Sequence, residues 1–145
     1  FAEALTIFER LLELDSERPV IHWSLGRFWT LQGDYEKALA EFKPEKYDFL
    51  ALTGQAIAPH HLGQRDAAVS ALQTLNIAMG ESSTNQIDQV YAQWGDADNA
   101  MSWLERGYNI RDPGLQYVAS DNYLQPLHDD PRFQAFLEKM NLAVN

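Results

Sequence analysis

Four alanines, Ala4, Ala38, Ala68 and Ala100, are each followed four residues later by a bulky apolar side chain: Phe8, Phe42, Leu72 and Leu104. The alanines stand 34, 30 and 32 residues apart, and a glycine (Gly33, Gly63, Gly95) sits five residues before each of the last three. A period of this length marks one supersecondary unit that cannot bury its apolar face alone. The glycines fall in Leu31-Gln32-Gly33-Asp34, Leu62-Gly63-Gln64-Arg65 and Trp94-Gly95-Asp96-Ala97. Glycine supplies the left-handed conformation that ends a helix, and Asp34 and Asp96 suit the start of the next one. The spacing therefore predicts helical hairpins.

Helical periodicity in the flanks agrees. Ala4, Ile7, Phe8, Leu11 and Leu12 form one stripe, and Ala100, Trp103, Leu104 and Gly107 another. Such stripes are buried when hairpins stack, and about three hairpins are needed for a stable array. With 145 residues and 46% apolar content, the chain can bury a core of that kind. The uncharged stretch from Phe49 to His61 is interrupted by Thr53, Gly54, Gln55 and Pro59, so membrane insertion of this segment is not expected. The sequence opens on Phe1 inside an amphipathic pattern without a signal-peptide signature, and reads as a fragment of something longer.

Eleven Lys and Arg against 21 Asp and Glu give a net charge of −10, which repels phosphate backbones and anionic lipid. Direct nucleic-acid binding is excluded on that ground. No cysteine is present, which removes disulfides, thiolate metal sites and a cysteine nucleophile but is compatible with either redox compartment.

The run His22-Trp23-Ser24-Leu25-Gly26, followed by Gly33-Asp34-Tyr35-Glu36-Lys37-Ala38-Leu39 and Phe42, resembles a tetratricopeptide repeat. The resemblance covers about residues 1 to 110 and implies an all-α fold, a right-handed superhelix of antiparallel hairpins. On that reading 1–16 is a half repeat that keeps only its second helix, 19–43, 47–78 and 82–110 are hairpins, and 113–145 is a C-terminal cap, all in one domain. In the cap, Asp130 can cap a helix, Pro131 suits its first position, and Phe133, Phe136, Leu137 and Met140 share a face. The stretch from Ala100 to Phe133, with Arg111-Asp112-Pro113-Gly114-Leu115 and Leu124-Gln125-Pro126-Leu127-His128-Asp129-Asp130-Pro131, resembles the closing segment of bacterial repeat domains. Those segments end repeat regions of adenylate cyclases, serine/threonine kinases and winged-helix regulators of the CadC type. That resemblance implies a regulatory or sensory parent protein. A cytoplasmic place is preferred, and a periplasmic one follows if the parent is CadC-like.

Three places depart from the pattern. Pro44 should stop the preceding helix near Lys43. Pro59 removes an intrahelical bond and should kink or end its helix early. Asp88 stands where Gly26 and Ala56 supply a small residue, and a carboxylate facing a neighbouring helix is costly unless hydrogen-bonded or hydrated.

Candidate chemistry is sparse. His60 and His61 are adjacent and point about 100° apart on a helix, unlike a zinc pair at i, i+4. His22 and His128 read as partly buried histidines satisfied by backbone, and Asp96-Asp98 and Asp129-Asp130 as helix caps. Phosphate-loop, nucleophile-elbow and zinc-protease motifs are absent, so no cofactor, metal or catalytic residue is assigned. The resemblance implies binding of a peptide or domain, including another domain of the parent chain, in a groove lined by the first helix of each hairpin. Its predicted lining is Trp23, Arg27, Thr53, Ile57, His60, Asn85, Gln89 and Gln93, with Trp23 and Arg27 as anchors. Trp23 is equally able to pack between repeats. The lysine and asparagine clamp with which one subgroup of the family grips a terminal carboxylate is missing from these positions. Two alternatives stand beside this reading: an oligomerisation or spacer module acting through the uncovered half repeat, and a small hydrolase or metal enzyme.

Overall fold

The computed structural model describes residues 2–15, 20–82 and 84–142, apart from the side chains of Ala2 and Ala4. The place of Ala4 in its stripe, the expected boundaries at 16 and 19, and the last three residues of the cap lie outside that description. The described chain is all-helical. It contains α1 (Ala2–Leu14), α2 (Ile21–Leu31), α3 (Tyr35–Phe42), α4 (Asp48–His61), α5 (Arg65–Met79), α6 (Asn85–Gln93) and α7 (Ala97–Ile110). Two 3-10 helices, Pro113–Ser120 and Asn122–Leu127, and α8 (Pro131–Lys139) complete it. It divides into two compact units, Phe1–Leu72 and Gln73–Asn145.

The three glycine turns share one backbone conformation at the glycine and one hydrogen bond after it. Gly33, Gly63 and Gly95 have φ of 78°, 74° and 76°, a region open to glycine at little steric cost. One residue further on, the amides of Asp34, Gln64 and Asp96 donate to Trp29, Pro59 and Tyr91 carbonyls at 3.0, 2.8 and 2.9 Å. This is the six-to-one bond of a Schellman motif, which satisfies a carbonyl the helix end would leave open. The expected caps form: Asp34, Asp96 and Asp130 accept the amides of Lys37, Asn99 and Arg132 at 3.2, 3.1 and 2.9 Å. At the end of α7 the same bond, Asp112 amide to Gly107 carbonyl at 2.9 Å, is made with Arg111 in the left-handed position at φ 59°.

In the first unit α2 lies against α3, both contact α4, and α1 lies against α2. Ala38 and Phe42 are completely buried. The Phe42 ring occupies the space beside Gly26 and Gly54, where a β-carbon on either glycine would overlap it. Pro44 does end α3, which stops at Phe42. Pro59 does not end α4 early: the helix runs through it to His61. Pro59 stands in the last turn, where its missing N–H removes a single bond, and its ring is buried.

The second unit is built on α6 and α7, with Asn122–Leu127 laid along α6. Its core joins Ala100 and Leu104 of α7 to Leu115 and Val118, Leu124 and Leu127, and Phe133, Phe136 and Leu137 of α8. Burying each of these larger side chains contributes about 1.5–3 kcal/mol. The irregular stretch after α7 is thus a core element in its own right.

One device recurs in both units and has no counterpart in the repeat spacing. Shortly after the second helix of a hairpin, a buried carboxylate reaches back to the start of the first. Glu45, 7% exposed, accepts the Trp23 amide at 2.8 Å and the Tyr47 amide at 3.0 Å. Asp112, 6% exposed, accepts the amides of Thr84 and Asn85 at 2.5 and 3.2 Å, the Thr84 hydroxyl at 3.2 Å and the Gly114 amide at 2.8 Å. In each case an anionic group meets the open donors and positive end of a helix.

Candidate partner-binding surface

In the first unit, the outer face of α2 forms an open hollow of about 450 Å³ between Trp23, Ser24, Arg27, Phe28 and Leu31. These residues recur along one side of an 11-residue helix whose opposite side holds Leu25 and Gly26 in the core. Trp23 and Arg27 are brought together: the guanidinium stands 5.4 Å from the indole centroid, a cation–π geometry. Trp23 itself is only 8% exposed, because its other side meets Phe42 with centroids 5.6 Å apart. It is a wall of the hollow and a core residue together. Leu31, by contrast, is 45% exposed at the rim.

The other predicted lining residues fare differently. Thr53 and Ile57 are fully buried in α4, and the Thr53 hydroxyl donates to the Phe49 carbonyl at 2.6 Å. Neither offers a surface to a partner, since the face of α4 that carries them is covered within the fold. His60 is half-buried with its ring edge-on to His61, and burial, followed by the nearby Arg65 charge, holds it below the ordinary histidine value.

In the second unit, the chain itself covers the α6 lining. Gln89 donates from Nε2 to Asp121 Oδ2 at 2.6 Å, and Gln93 donates from Nε2 to the Tyr123 carbonyl at 2.7 Å. Asn85 is half-buried at the helix start, beside Gly114. Gln89 and Gln93 are thus spent on holding Asp121 and the 3-10 helix that follows it. Asp-Pro at 112–113 and Asp-Asn at 121–122 were the available signals for these short helices: Asp112 and Asp121 accept the amides of Gly114 and Tyr123 at 2.8 and 2.9 Å.

Sequence reasoning also missed an open hollow of about 470 Å³ in the second unit, bordered by Tyr108, Arg111, Leu115, Gln116 and Met140. The histidines differ from expectation too. His22 pairs through Nδ1 with Glu41 at 2.8 Å rather than with backbone. His128 stacks on Phe133 at 5.4 Å with Nε2 buried and unbonded.

Among the described residues, no group of three or more His, Asp or Glu side chains converges as a metal site requires, and no helix is long and apolar enough to cross a membrane. Compared with protein-family models, with curated proteins and with solved structures, the chain gives no significant match.

Proposed function

We propose that the chain is a tetratricopeptide-like interaction module, a right-handed superhelical stretch of hairpins serving as a regulatory scaffold in a larger bacterial signalling or transcription-regulatory protein. The observation that carries this reading is the α2 face, where Trp23 and Arg27 meet at the wall of an open hollow edged by Leu31. An aromatic wall beside a directed cation is the combination over-represented at interface hot spots. The thrice-repeated glycine turn supports the repeat assignment. With Thr53, Ile57, Gln89 and Gln93 committed within the fold, the binding surface narrows to α2, and its ligand is a peptide segment that places an apolar side chain in the hollow.

Selection from a random peptide library against the full chain tests this. Enriched peptides should lose about tenfold or more in affinity on Arg27→Ala, the scale expected for truncating an arginine anchor. Enrichment of peptides that bind Arg27→Ala and wild type alike would remove α2 from the proposal.

A second reading, oligomerisation through α1, is favoured by Ile7 and Leu14, which are 59% and 76% exposed. Light scattering over a concentration range should then show a mass increase that Ile7→Glu with Leu14→Glu abolishes. A strict monomer at the highest concentration would end that reading.

A further inference from the structure

Asp88 lies in the middle of α6 with no exposed surface, and neither carboxylate oxygen has a hydrogen-bond partner. At the same register the first two hairpins carry Gly26 and Ala56, both buried. An unpaired buried charge there would be prohibitive. Of the charged groups on the elements packed against α6, the two that reach Asp88 are Asp121 and Asp112, and both are acidic. On α7, Asp98 and Glu105 are engaged by Arg132 and Lys139 at 2.7 Å each, and Arg106 stands 5.0 Å over Trp103. Residues 73–79 of α5 carry no titratable side chain. Burial, then Asp121, then Asp112 push the Asp88 carboxyl well above its ordinary value, and the nearby Gln89 amide, outside hydrogen-bonding geometry, offsets little of this.

Asp121 and Asp112 are also the residues that tie the 3-10 segment to α6, through Gln89 and through the amides of Thr84 and Asn85. We propose that Asp88 is a proton-operated latch of the second unit: neutral, it lies quietly between α6 and its neighbours; ionised, it is repelled by Asp112 and Asp121 and loosens the grip of Asn122–Leu127 on α6. Opening would bare Gln89 and Gln93. The latch does not depend on what α2 binds.

The sign follows from proton binding. A carboxyl titrating higher in the folded than in the unfolded chain binds more protons when folded. Stability is therefore full below the unfolded value of about 4 and falls as pH rises through the folded value. Amide hydrogen exchange of the full chain, corrected for intrinsic rate, tests it at residues 122–127. Between pH 5 and pH 8, wild-type protection there should fall by about tenfold or more, while Asp88→Ala and the isosteric Asp88→Asn hold it constant. The Asn variant and the wild-type profile decide the matter if the Ala variant does not fold. A flat wild-type profile, or the same slope in a folded variant, overturns the latch. So does wild-type protection regained at pH 8 on adding calcium, which would make the cluster a cation site.

Discussion

Replacing Phe42 with alanine is expected to destabilise the first unit by about 3–5 kcal/mol, the usual cost of deleting a buried aromatic ring. For a unit of this size that is a fall in melting temperature on the order of 15 °C or more. The ring is fully buried and fills the gap that Gly26 and Gly54 leave on two different helices. The same geometry predicts a change of sign. In the wild type, Gly54→Ala drives a methyl into the ring and should cost about 1–3 kcal/mol. In the Phe42→Ala background the clash is gone, the methyl fills part of the cavity, and alanine gains up to about 1 kcal/mol of helix preference over glycine. Gly54→Ala should then be neutral or stabilising. Thermal melts of the four proteins in this cycle check it, and additive effects would mean that the ring and the glycine are not in contact.

The second large effect is expected at Asp112. Its carboxylate accepts the first amides of the α6 region, from Thr84 and Asn85, together with the Thr84 hydroxyl and the Gly114 amide, and it is nearly inaccessible to solvent. Asp112→Ala leaves buried donors without an acceptor, at about 1–3 kcal/mol each, so a loss of about 3 kcal/mol or more is expected. Asp112→Asn keeps one acceptor and should lose less. Because Asp112 also faces Asp88, removing its charge relieves that carboxyl. The penalty of Asp112→Asn should accordingly be smaller at pH 8 than at pH 5, as read from denaturant melts at the two pH values. A penalty that does not change with pH would separate the two aspartates.

These two residues mark what the sequence could and could not convey. Gly33, Gly63 and Gly95 announce their turns because only a left-handed position five residues before a buried alanine explains the repeated spacing, and Ala38, Ala68 and Ala100 are indeed fully buried. Local chemistry of this kind is written in adjacent residues. The lining was harder. Thr53 and Ile57 lie on a face of α4 that looks free when one hairpin is considered alone, yet both are fully buried in the structure. Gln89 and Gln93 look outward when their hairpin is considered alone, because 3-10 helices have no 3.6-residue period to betray what covers them, so residues 113–127 are legible only as part of a C-terminal cap. The long-range carboxylates, Glu45 to Trp23 and Asp112 to Thr84, are 22 and 28 residues from their partners and leave no periodic trace. Asp88 was legible as a misfit in the register, but the two acids beside it became visible only in three dimensions.

The course of the chain after α7 also governs where a further hairpin could be added. Duplication of genetic segments adds whole hairpins, and each newcomer survives only if both neighbours offer it a matching apolar face. After Ile110 that face is already filled by Leu115, Val118, Leu124 and Leu127. A hairpin inserted there would orphan all four. Between Phe42 and Asp48, where α3 stops and α4 begins without an apolar plug, an extra copy has to repeat the glycine turn, the alanine five residues beyond it, a small residue that receives the Phe42 ring as Gly54 does, and the Glu45 carboxylate. Growth by tandem copying is therefore directed toward the earlier hairpins, and engineered extensions should be grafted there.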